Sequence, residues 1–163
     1  MARTRGEANR ALYRARILLD GWDRMRAECA HSEQALLGAF LPAVRLHLIE
    51  AYGWFLLAIS GVEDSLAPDL PRSTRDLSEP EAGRAQIPEI AEFAQLESAG
   101  WLAELLAKNA EESPGHAVAA SSHKSQQGLL VTDRQPPGYA VAFSWADALA
   151  AIMTRMDDSI SEY

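Results

Sequence analysis

The stretch from Leu36 to Ile59, LLGAFLPAVRLHLIEAYGWFLLAI, constrains this chain more than any other. Of its 24 residues, 21 are apolar or Gly/Pro; the exceptions are Arg45, His47 and Glu50. Three ionisable groups near the centre make a poor membrane span, and a segment this apolar is unsuited to a protein surface. It is expected to be the buried central helix of a helical domain.

Helical periodicity surrounds it. Between residues 5 and 30, Ala8, Ala11, Ala15, Leu18, Trp22, Met25 and Cys29 alternate at three- and four-residue spacing, the signature of an amphipathic helix. Gly21 inside this pattern suggests a close helix approach, and Asp20 stands at ion-pairing distance along the helix from Arg16 and Arg24. His31-Ser32 breaks the pattern, with Ser32 suited to cap a second helix over 33–60 and Gly61 suited to end it. Its stripe is Leu37, Leu41, Val44, Leu48, Ala51, Phe55 and Ile59, while Leu46, Ile49 and Trp54 suggest burial on a second face. Pro42 should bend it.

A third helix is expected from Pro88 to about residue 109, with Ile90, Phe93, Ala94, Glu97, Trp101 and Leu105 on its core face and Gly100 as a weak point. A fourth is expected over 144–162, capped by Ser144 and carrying Trp145, Leu149, Ile152, Met156 and Ile160. The connections 62–86 and 111–142 are rich in Pro, Gly and small polar residues, so they read as long loops, the second with partial disorder. Within it only GLLV (128–131) and YAVAF (139–143) could be strands. The expected fold is therefore all-α: one domain, 1–163, folded as an antiparallel four-helix bundle with two loop-rich connections.

Charge is uneven. Residues 1–30 hold seven Arg against four acids, a balance of +3, and the total of −8 leaves −11 on the rest. Such a basic start can serve phosphate or acidic lipid, but an Arg-rich helix face pairing with acids of the same fold explains it more simply. The opening MARTRGEANR lacks an apolar secretory run, and a lone cysteine forms no internal disulfide, so the cytoplasm is the expected compartment.

Few constellations point to chemistry. Glu28-Cys-Ala-His31 has the Glu-x-x-His spacing of di-iron bundles, which require two copies and two further Glu. His47 precedes Glu50 in the opposite order, so neither a metal nor a cofactor is implied. Arg45, His47, Glu50 and Trp54 are candidates for a ligand-binding pocket between helices; solvation of the polar three is the simpler alternative. The four Trp, one per expected helix, suit core packing with each indole N–H bonded to an acceptor. Cys29, on the apolar stripe, is expected in the core. There is no Gly-rich phosphate loop, nucleophile elbow or Cys-x-x-Cys, which tilts the reading away from an enzyme.

Two resemblances add to this. Arg26-Ala-Glu-Cys-Ala-His31 resembles the Arg-x-x-x-x-His ribonuclease motif of HEPN domains, which are helical bundles that often dimerise. There the Arg steadies phosphate charge and the His does acid–base chemistry, which would make Arg26 and His31 catalytic. In that family the motif lies on a later helix, whereas here it ends the first. Asn9-Arg-Ala-Leu-Tyr-Arg-Ala15 with Leu46-His-Leu-Ile-Glu-Ala-Tyr-Gly-Trp-Phe-Leu-Leu57 resembles a small bacterial family of unknown function, built on an Asn-x-x-Leu-Tyr-x-Ala helix and an Ala-Tyr apolar helix. That resemblance covers the first 60 residues and implies a bacterial cytoplasmic protein. The expected role is a non-enzymatic interaction or adaptor module with a protein partner or a second copy. An RNA-processing enzyme and a small-ligand carrier are the alternatives. Nucleic acid has the Arg-rich first helix as its one hint.

Overall fold

The computed structural model describes residues 2–61, 70–77, 88–107 and 137–161, and is all-α over them. Five helices follow in order: α1 (Ala2–Ala27), α2 (Glu33–Ser60), α3 (Pro88–Ser98), α4 (Trp101–Leu106) and α5 (Tyr139–Ser161). A single 3-10 turn, Thr74–Asp76, precedes α3. The bundle is built on the α1–α2 hairpin, with α5 laid against both helices and α3 and α4 packed on α2. The strand candidate GLLV lies outside the described residues.

The apolar spacing explains the hairpin. Ala8, Ala11, Leu12, Ala15, Leu19 and Trp22 turn one face of α1 inward, where Leu36, Leu41, Val44, Leu48, Ala51 and Phe55 of α2 meet it. The small alanines let the helices approach closely. Ser32 caps α2, its Oγ accepting from the Ala35 N–H at 3.2 Å. Gly61 ends that helix with φ of 74°, a left-handed conformation that glycine adopts without a Cβ penalty. By length and composition α2 could cross a membrane, but 13 of its residues are buried in the bundle.

Several expectations are corrected. The first helix stops at Ala27, because Cys29 turns the chain with φ of 52° and its N–H bonds back to the Arg26 carbonyl. This turn leaves Cys29 exposed, outside the core. Leu46 is 52 % exposed, so the amino-terminal half of α2 is open on one side. The single third helix is two, because Gly100 at φ of 131° swings the chain between α3 and α4. Ala94 is exposed while Phe93, Leu102 and Leu105 are buried.

The last helix begins five residues early. Val141 and Ala142 both donate to the Gly138 carbonyl at 3.1 Å, so YAVAF opens α5 and is not a strand. Its Ala142 continues inward through Trp145, Ala146, Leu149, Met153 and Met156, and this apolar stripe outweighs the strand preference of the valine and aromatics. Ser144 is thus interior to the helix, donating to the Val141 carbonyl at 2.8 Å, and is not its cap.

Candidate interaction surface

Arg45 is buried inside the bundle. Its Nε and Nη2 donate to the Leu105 carbonyl at 3.3 and 2.7 Å, and Nη2 also donates to the Ala107 carbonyl. These oxygens belong to the carboxyl end of α4, where helical carbonyls lack an internal partner and carry partial negative charge. The guanidinium therefore ties α2 to α4.

His47 and Glu50, one turn apart and half-buried, bond to each other, with Nδ1 and Oε2 separated by 2.8 Å. Trp54 is half-buried against the core. The four ligand candidates thus divide: Arg45 serves a helix end, His47 and Glu50 serve one another, and Trp54 packs.

A polar knot missed in the sequence joins α2 to α3 and the turn before it. Glu97 of α3 accepts from Tyr52 Oη at 2.6 Å, from Thr74 N and Oγ1 at 2.7 Å each, and from Ser73 Oγ at 3.0 Å. Asp76 holds the turn itself, accepting from the Arg72 and Ser73 N–H groups at 2.9 Å. Burial and the Glu97 carboxylate push the Tyr52 phenol well above its ordinary range. Gly53 admits this segment: a Cβ there would stand 2.5 Å from the Pro71 carbonyl oxygen. The available signal was a carboxylate on the apolar stripe of the third helix, since a half-buried charge demands donors.

At the turn end of the hairpin, Trp22 stacks on Phe40 at 5.9 Å and meets Tyr139 edge-on at 5.5 Å. Among the described residues the buried Trp22 indole N–H has no hydrogen-bond partner, contrary to the expectation that each indole finds an acceptor. Arg26 lies over the Tyr139 ring at 4.6 Å and reaches Asp23 at 3.6 Å and Glu33 at 3.9 Å. His31 is exposed beyond the end of α1. The guanidinium that the ribonuclease resemblance would place on phosphate thus faces an aromatic ring and two carboxylates. Among the described residues, no three His, Cys, Asp or Glu side chains gather as a metal site.

Between α1 and α5 runs an open groove of about 330 Å³, lined by Arg16, Leu19, Asp20, Phe143, Ala146 and Asp147. Arg16 crosses it to Asp147 at 3.6 Å. Asp20 makes no ion pair with Arg16 or Arg24, so the two pairings its spacing suggested are not formed.

The outward face of α1 is the most distinctive exposed surface. Tyr13 and Ile17, one turn apart, are 65 % and 52 % exposed. Around them stand Arg3, Arg10, Arg14 and Arg24, all exposed. Arg10 bonds Glu7 at 2.8 Å, while Arg3, Arg14 and Arg24 make no ion pair among the described residues. The simpler reading of the Arg-rich helix therefore holds for Arg10, Arg16 and Arg26, and leaves a basic face with an apolar centre. Compared with protein-family models, curated proteins and solved structures, the chain matches none.

Proposed function

We propose that this chain is a non-enzymatic helical interaction module that docks through the outward face of α1. The supporting observation is the exposure of Tyr13 and Ile17 at adjacent turns, framed by Arg3, Arg14 and Arg24, which make no ion pair among the described residues. Apolar side chains held by a rigid helix and ringed by charge form a common protein-docking pattern: the apolar pair supplies affinity on burial and the arginines select the partner. The resemblance of the first 60 residues to a small bacterial family supports a bacterial cytoplasmic setting.

Photo-crosslinking tests this. A benzophenone amino acid replaces Tyr13, and in a separate variant replaces Thr154, which is exposed on α5. In native cells the first variant is expected to form a discrete protein adduct and the second none. Absence of adducts at Tyr13, with the protein folded, overturns the proposal.

A further inference from the structure

We propose that the partner of this face is an acidic segment of another protein, carrying an aromatic or aliphatic anchor flanked by carboxylates one to two turns apart. The inference rests on the docking role of α1 and names the chemistry that docks there. Arg3, Arg10, Ile17 and Arg24 recur every seven residues, and Arg14 follows Arg10 by four. That spacing sets them along one stripe of the helix with Tyr13 beside Ile17, and all six side chains are exposed.

The carboxylates of the fold leave this stripe positive. Glu7 takes Arg10, Asp147 takes Arg16, and Asp23 and Glu33 take Arg26. Arg3, Arg14 and Arg24 make no ion pair among the described residues. Asp20 makes none either, but it lines the groove against α5 and so marks the edge of the stripe.

The spacing of the guanidinium groups selects among anions. They do not converge on one point, as a single phosphate would require, but spread over about 32 Å from Arg3 to Arg24 at the helical rise. A row of carboxylates on one chain meets them singly, each arginine offering its planar fork to one carboxylate. The partner's anchor, buried against Tyr13 and Ile17, supplies the apolar contact.

Other occupants fit less well. A second copy presenting the same face would set arginine against arginine. A nucleic acid or an anionic membrane spreads negative charge more broadly than the stripe, and so against the exposed Asp20 and Asp147 of the neighbouring groove. A membrane surface would also need a broader apolar face than Tyr13 and Ile17 provide.

Selection of a displayed random peptide library on the full chain provides the test. Peptides of about 16 residues are long enough as helices to reach from Arg10 to Arg24. Enriched sequences are expected to be acidic and to carry an aromatic or large aliphatic residue. Arg14→Glu, Arg24→Glu and Ile17→Ser should each weaken a selected peptide about tenfold, read by fluorescence anisotropy. Gln95→Glu adds negative charge on α3, which packs on α2, and should change binding less than about twofold. Circular dichroism verifies that these surface variants are folded.

No enriched peptide, enriched peptides without net negative charge, or binding indifferent to the three α1 variants overturns the inference. So does an oligothymidine or a phosphatidylglycerol vesicle that binds this face more tightly than the selected peptides, or a reversible dimer that Ile17→Ser dissolves. If such a result accompanies a protein crosslink at position 13, the docking role survives and only the acidic partner is excluded. If no peptide is enriched and no crosslink forms, both fail.

Discussion

Tyr52 on α2 donates a 2.6 Å hydrogen bond to Glu97 on α3, and the same carboxylate holds the backbone and side chain of Thr74. One carboxylate thus joins a core helix, a surface helix and the turn between them. Tyr52→Phe keeps the ring against Phe93 but removes a donor to a charged acceptor, which should cost about 2 kcal/mol in urea unfolding.

The same relationship sets an alkaline limit. Burial and Glu97 raise the Tyr52 pKa in the folded chain, while the unfolded phenol ionises near its ordinary value of about 10. The unfolded state then binds fewer protons, so the contribution of this group is level below about pH 10 and declines as pH rises further. Stability measured from about pH 8 to about pH 11.5 should fall at the alkaline end less steeply in Tyr52→Phe than in the parent.

Arg45→Ala should be the costliest single change among the polar candidates, about 3 kcal/mol, because it strands buried carbonyls at the end of α4. Arg45→Lys keeps the charge but not the planar fork, and should lose roughly half as much. Hydrogen exchange over Trp101–Leu106 should accelerate in both variants, marking release of α4 from α2.

Two glycine substitutions should act in opposite directions. Gly53→Ala drives a Cβ to 2.5 Å from the Pro71 carbonyl oxygen and should cost about 2 kcal/mol. Gly21→Ala places its Cβ 3.6 Å from Phe40, ordinary contact, and should gain up to about 1 kcal/mol of helix propensity. Paired thermal melts check the sign of each.

Cys29→Gly should raise stability by about 1 kcal/mol, since a non-glycine residue at φ of 52° is strained there. The native thiol should also react with an aromatic disulfide reagent without denaturant, as an exposed group does.

Periodicity by itself determined the all-α class, the inward faces of α1 and α2, the Ser32 cap and the Gly61 stop. Each depends on neighbours within a turn or two, so local spacing carries the information. Only the tertiary structure decided where the polar groups went. Arg45 bonds carbonyls sixty residues away, and Glu97 gathers donors from α2 and the 70–77 segment. No local pattern encodes such long-range partners. The start of α5 likewise depended on burial of Ala142 and Trp145, which outweighed the strand-like composition of residues 139–143. The Arg-rich composition of α1 was legible from the outset. Arg10 pairs with Glu7 of its own helix, whereas the cross-helix partners of Arg16 and Arg26 depended on where α5 placed Asp147 and α2 placed Glu33.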